Sequence, residues 1–206
     1  MLMSRMPACW MRLWLFGVFP LVSVSLAATE DPAVRQVQIL DASLLKSMHA
    51  GSNETVLERY RKLEPVISDV FDLGLMTRLS VGAAWTSFSA DEQRAVIAAF
   101  SRLTIAGYAH NFQQYGGEIF QVDDNVVTRG ADKIIQAHIN SSHDASANLI
   151  YRARRLGDTW KIIDVNYDGI SELTMRRSDF GAAIAGGGAT ALIAHLNRLS
   201  DEFLKH

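Results

Sequence analysis

Asp164 and Asp168 stand at the end of an apolar segment, Trp160-Lys161-Ile162-Ile163-Asp164-Val165, with Tyr167 between them. Carboxyl groups facing a cavity can act as general acids, and a tyrosine beside them can join in proton transfer. Turn and capping hydrogen bonds are the competing use of such aspartates. The other residue types that do chemistry are scattered. His49, His110, His138, His143, His195 and His206 form no H-E-x-x-H motif and no cysteine–histidine set. His138 and His143 would point to opposite faces of a regular strand. No metal site and no cofactor are expected. Asp179-Phe180-Gly181 spells a kinase tripeptide, but no glycine-rich loop or catalytic loop precedes it. Gly186-Gly187-Gly188 lacks the Lys-Ser/Thr of a phosphate loop and reads as a joint between helices. Asp123-Asp124 reads as a turn, and no G-x-S-x-G occurs. Arg152, Arg154 and Arg155, with Arg176 and Arg177, could form a patch for an acidic partner or an anionic headgroup. Solvated strand and helix ends are the simpler account of them. No catalytic residue set emerges.

The elements that would position these residues fall into three blocks: helical over 31–115, strands over 118–170, helical over 173–204. Asp31 can cap a first helix with Pro32 in its first turn, and Val34, Val37, Leu40, Leu44 and Met48 give it one apolar face. Gly51 stops it, Asn53 can cap the next, and Pro65 should break or restart that one. Helical spacing continues through Leu75 and Leu79. Ser89 and Glu92 form a capping box that opens the longest helix, to about Tyr115. On that helix Val96, Phe100, Leu103 and Gly107 share one side, and Ile97, Tyr108, Phe112 and Tyr115 the next. So wide an apolar arc should touch two things, for instance a sheet and a cavity. About four antiparallel strands follow, including a hairpin across Gly157-Asp158. The expected class is α+β: a curved antiparallel sheet with helices from both ends of the chain.

The chain has 206 residues, with 20 Lys+Arg against 22 Asp+Glu, so no global basic field points to nucleic acid. Arg5 and Arg12 precede an uncharged apolar run, Leu13 to Leu26, and Ser25-Leu26-Ala27 supplies small residues before Ala28. This is the order of a secretory signal peptide, expected to cover 1–27. The run is short for a membrane-spanning helix, and Pro20 interrupts it. Cleavage there leaves 28–206, with 18 basic and 22 acidic residues, and removes Cys9, the only cysteine. An exported chain without disulfides must be held by its core, which suits a bacterial periplasm.

Three segments, in order, resemble the MlaC/toluene-tolerance family of periplasmic lipid-binding proteins. They are Phe71-Asp72-Leu73 with Arg78 and Val81-Gly82-Ala83-Ala84-Trp85; Phe88 to Arg94 with Phe100, Leu103 and Tyr108; and Trp160 to Ser171, followed by Arg177-Ser178-Asp179-Phe180 and Leu192 to Leu196. The stretches Asp168 to Thr174 and Arg176 to Phe180 look closer to the hopanoid-associated HpnM branch. The resemblance implies an NTF2-like fold enclosing an apolar pocket, and a monomeric periplasmic carrier of a phospholipid or hopanoid between inner and outer membrane. It implies as partners an inner-membrane ABC transporter with its MCE-domain protein, and an outer-membrane lipoprotein complex. It carries no catalytic residue. The pocket is expected to be lined by Phe71, Leu75, Leu79, Trp85, Phe100, Leu103, Tyr108, Phe112, Leu149, Tyr151, Val165 and Ile170. The alternatives are an NTF2-like enzyme using Asp164, Asp168 or Tyr167 on an apolar substrate, and an interaction adaptor with a filled core.

Overall fold

The computed structural model describes residues 30–141 and 146–205. The expected signal peptide, His143 and His206 lie outside the described residues.

Helix α1 spans Pro32–Ala50. Asp31 caps it by accepting a hydrogen bond from Ala33 N at 2.9 Å, and Gly51 ends it at a positive φ of 55°. Its stripe Val34, Val37, Leu40, Leu44, Met48 is buried. Helix α2 (Val56–Val70) starts from Thr55 rather than Asn53: Thr55 and Glu58 form a capping box, Thr55 N donating to Glu58 Oε2 at 2.8 Å. Pro65 does not break it. The proline is exposed, so the backbone carbonyl it leaves without a donor faces water, and the helix continues. The break comes at Phe71-Asp72, where Asp72 accepts from Leu75 N at 2.9 Å and starts α3, Leu73–Val81. Helix α4, Ala90–Asn111, opens on the Ser89–Glu92 capping box. It stops a turn before Tyr115, with Phe112 as the capping residue.

The sheet has six strands where about four were expected, and the additional strands are short. They are β1 (Ile119–Val122), β2 (Val127–Arg129), β3 (Asp132–Asn140), β4 (Ala147–Leu156), β5 (Thr159–Tyr167) and β6 (Ile170–Ser171). All neighbours are antiparallel, in the order β1-β3-β4-β5-β6, with β2 also paired to β3. Gly157, at φ 59°, allows the tight turn from β4 into β5. The register runs Arg152↔Asp164, then Ala153↔Ile162, so Ile163 is an extra residue in β5. That bulge explains why the successive residues Ile162 and Ile163 are both buried. At the β5 edge the chain between α2 and α3 joins the sheet: Phe71 bridges Ile162, and Asp72 N donates to Ile162 O at 2.9 Å.

Helix α5 (Glu172–Lys205) is two helical pieces meeting at a kink, where Gly188 adopts φ 63° and glycine is favoured. The architecture is therefore α+β, an open antiparallel sheet with helices from both ends of the chain. Helix α1 lies directly across the sheet, against β1, β3, β4 and β5. Helix α4 behaves differently from the sheet-packed helix that its wide apolar arc suggested. It packs on α5, α2 and α3, its backbone barely approaches the strands, and side chains bridge the remaining gap. Phe100 of α4 meets Phe180 of α5 edge-to-face at 6.1 Å.

Candidate ligand-binding site

Four aromatic rings bridge the seam between α4 and the sheet. Phe71 lies 5.7 Å from Tyr108, Tyr108 stacks on Phe112 at 5.7 Å, and Phe112 reaches Phe120 of β1 at 6.2 Å. Each position has a local cause. The bridge to Ile162 fixes Phe71, helical spacing puts Tyr108 and Phe112 one turn apart, and the early end of α4 lets Phe112 turn towards β1. Phe71 is buried, whereas Tyr108, Phe112 and Phe120 are half-buried.

On the inner face of the sheet, Tyr151 of β4 stands directly opposite Val165 of β5, with Leu149 two residues before it; all three are buried. Leu75, Leu79 and Trp85 are half-buried on and after α3, Trp85 beside Phe88 at 6.4 Å. Phe100 and Leu103 are sealed core residues of α4. Ile170 stands apart: it is the first residue of β6 and is 64 % exposed. The seam thus gathers Phe71, Tyr108 and Phe112, with Leu149, Tyr151 and Val165 on the sheet side, and leaves Ile170 outside. Phe120 was not anticipated, although its place in the strand motif Ile119-Phe120-Gln121-Val122 was readable.

The interior also holds buried polar groups without partners. Asp41 of α1 is 5 % exposed, and its Oδ1 has no hydrogen-bond partner. Burial away from water pushes its pKa up to about 7. Desolvation raises the Tyr108 hydroxyl well above the usual tyrosine range, and Glu172, Tyr151 and Asp41 add to it. Desolvation and then Asp41 raise Tyr151 in the same way. Thr104, one turn before Tyr108, also has an unpartnered buried hydroxyl. Beside these groups Arg176 donates to Glu172 at 2.7 and 3.0 Å and lies 5.4 Å from the Phe100 ring. Asp41 carried a readable signal: Val34, Val37, Asp41, Leu44 and Met48 recur every three or four residues, which sets a carboxylate on an apolar face.

The residues proposed for acid–base chemistry are engaged elsewhere. Asp164 accepts from Ser171 Oγ at 2.8 Å and from Leu173 N at 3.3 Å, which ties β6 and the start of α5 to β5. Asp168, at φ 47°, accepts from Asn148 N at 2.9 Å in the turn, and Tyr167 is 55 % exposed. His138 bonds Asn148 on the sheet, and His195 bonds Asp179 at 3.0 Å. The arginine cluster is largely partnered. Arg152 and Arg154 converge on Asp132, Arg155 donates to Gly157 O, and Arg177 donates twice to Leu79 O.

Two surface recesses occur among the described residues, and none of the four rings of the seam lines either. One, of about 180 Å³, is lined by Leu79, Arg152, Asp164, Ser171, Leu173, Thr174 and Arg177. The other, about 470 Å³, is an open groove between the start of α2 and the end of α5, and none of the twelve expected pocket residues lines it. Of those twelve, Leu79 alone lines the smaller recess, which adjoins the sheet and the start of α5.

The fold has a solved counterpart. A phospholipid-binding protein from Ralstonia solanacearum, crystallised with a phospholipid, superposes with a TM-score of 0.73 at 17 % identity. The match covers 84 % of this chain and 99 % of that one, which establishes the shared fold. A 138-residue stretch is 25 % identical to part of a dynein axonemal assembly factor 1 homolog from Anopheles gambiae, covering 63 % of this chain. The chain spans 14 % of that protein, and so partial a match transfers no activity. The sequence model of the MlaC protein family matches residues 40–198, from the middle of α1 to the last turns of α5. With most of the chain matched, and with helices standing off an open antiparallel sheet as found here, this chain belongs to the MlaC family.

Proposed function

We propose that this protein is a periplasmic carrier of a membrane lipid, holding the lipid's apolar part between α4 and the inner face of the sheet. The carrying observation is the seam itself: α4 meets the sheet through half-buried aromatic side chains rather than through packed backbone. Side chains can swing where a packed helix–sheet contact cannot, so the seam can part. It has to part, because ligand pockets for molecules of even moderate size run to roughly 300–1,000 Å³. The recess of about 180 Å³ beside Leu79 and Leu173 is too small for a lipid.

The energetics suit a shuttle. Removing apolar surface from water contributes about 25 cal/mol per Å². A bilayer already provides that to its lipids, so a carrier needs to match the bilayer and gains nothing by far exceeding it. The phospholipid bound by the Ralstonia protein supports a phospholipid as cargo. A hopanoid cargo, and the transporter and lipoprotein-complex partners that the family resemblance implies, are the finer part of the proposal. The enzymatic alternative is weakened because Asp164 and Asp168 hold the turn and the start of α5, and Tyr167 faces solvent.

The test is organic extraction of the purified protein followed by mass spectrometry. One or more lipids should be recovered in near-stoichiometric amount. Protein that yields no lipid, and takes up none from phospholipid vesicles, would overturn the carrier reading.

A further inference from the structure

Arg152, Arg154, Arg155 and Arg176 each pair with a carboxylate; among the described residues Arg177 has none. Its Nε and Nη2 both donate to Leu79 O, at 3.2 and 2.5 Å, which pins the guanidinium against the last turn of α3. Its Nη1 is left over, and the side chain lines the recess of about 180 Å³. Two further donors line the same recess. Arg152 holds Asp132 through Nε and Nη2, at 2.6 and 2.5 Å, and keeps its own Nη1. Thr174 stands three residues before Arg177 on α5, so the two share a helix face, and its hydroxyl has no partner among the described residues. Asp164 is the one carboxylate on the wall, and its two oxygens already accept from Ser171 Oγ and Leu173 N. Two arginines against that one aspartate leave a single positive charge over, since Asp132 behind Arg152 is matched by Arg154. Leu79 and Leu173 give the recess an apolar side. Alternation along β4 sets Arg152 on the sheet face opposite buried Tyr151, so the recess does not continue the aromatic seam.

We propose that this recess is a binding site of its own, which takes a singly charged phosphodiester on Arg152, Thr174 and Arg177. The charge left over matches one negative charge, and a phosphate monoester would bring a second with nothing to offset it. Donors from a strand and a helix approach from separate directions, which suits the tetrahedral phosphate better than a planar carboxylate. Guanidinium groups bond phosphate oxygens strongly, and that of Arg177 is already held in place. The ester groups would rest against Leu79 and Leu173. The inference does not rest on the carrier reading.

The soluble probe is glycerophosphoglycerol, titrated into the purified protein and followed by nitrogen–proton NMR, with acetate as the planar control. Signals of Arg152, Thr174 and Arg177 should shift saturably with the phosphodiester and far less with acetate. R177Q should weaken binding about tenfold or more, and R177K, which keeps the charge without the fork, by less. T174V leaves the Leu79 bonds intact and should weaken binding about threefold; it decides the matter if R177Q fails to fold. No saturable shift, equal binding of acetate, or an affinity unchanged in R177Q or T174V overturns the site. Sedimentation with vesicles of phosphatidylcholine and phosphatidylglycerol then identifies the source. Sedimentation lost in R177Q assigns the phosphodiester to a bilayer headgroup, and soluble binding without sedimentation assigns it to a free phosphodiester. Neither outcome depends on whether organic extraction yields a lipid, so the two readings fail separately.

Discussion

Asp41 and Asp132 are equally shut off from solvent, each 5 % exposed, and they are in opposite electrostatic states. Asp132 opens β3, where the register sets it opposite Arg154. Arg154 Nε donates to its Oδ1 at 2.5 Å, and Arg152 Nε to its Oδ2 at 2.6 Å. The hydrogen bond from Arg154 leads in lowering its pKa, with Arg152 assisting, and together they outweigh desolvation. Its cover is the two guanidinium groups, which are themselves well exposed. Asp41 is covered instead by the apolar interior and has no donor, so desolvation alone acts and its pKa climbs to about 7. Accessible area does not set a carboxyl's charge state. The donors that reach it do.

The largest way to break this comparison is to remove the Asp41 carboxyl. Its folded-state pKa, about 7, lies above its ordinary value of 3.8. Below pH 3.8 both folded and unfolded chains hold the proton, and no stability depends on it. Between 3.8 and 7 the unfolded chain releases the proton while the folded chain keeps it, so stability falls as pH rises. Above 7 the loss is complete, at about 4 kcal/mol from a shift of this size. D41N should therefore be more stable than wild type at pH 8, and the gap should narrow towards pH 4. Urea denaturation of both proteins at pH 4, 6 and 8 checks this. Parallel stability profiles would mean that Asp41 is hydrated or partnered in solution.

Asp132 should show the opposite pH dependence on a smaller scale. Its folded-state pKa is below 3.8, so its contribution is present above that value and is lost as pH falls through the folded-state pKa. D132N should cost about 2 kcal/mol at pH 7, in the range for hydrogen bonds to charged groups, because the exposed arginines recover water when the carboxylate goes. The cost should shrink as the pH falls through the folded-state pKa, and with added salt at pH 7. A deficit independent of pH and salt would assign Asp132 a packing role instead.

The two carboxylates also differ in how far a single sequence exposes them. Local features read directly: the Ser89–Glu92 box, the α1 stripe, the Gly157-Asp158 turn and the Gly186–Gly188 joint all depend on residues close in sequence. Asp132 meeting Arg152 and Arg154 depends on a cross-strand register over twenty or so residues, which composition and spacing do not reveal. The aromatic row is similar. Phe71 and Tyr108 were both picked out as pocket residues, but their contact needs the bridge from Phe71 to Ile162. Asp41 was legible in principle, since it sits on the α1 stripe, but reading only the apolar positions passes over it. Pro65 misled because a proline on the solvent side of a helix costs less than one facing the core.

The finest test asks whether Asp41 is as isolated as its geometry says. Tyr151 is a buried phenol whose pKa is raised by desolvation and then by Asp41, and its hydroxyl bonds no other described residue. If that hydroxyl also makes no bond to Asp41 in solution, Y151F removes a desolvated oxygen that was doing nothing. Its stability should then stay within about 0.5 kcal/mol of wild type at both pH 5 and pH 8. If the phenol does turn to donate to the ionised carboxylate, the bond is charge-assisted, forms only when the carboxyl ionises, and draws its pKa below the value of about 7 that it has without a donor. Y151F would then lose about 1.5–3 kcal/mol at pH 8 and little at pH 5. Urea denaturation at the two pH values separates these outcomes. A deficit confined to pH 8 would show that Asp41 has a donor after all and differs from Asp132 only in that donor's strength.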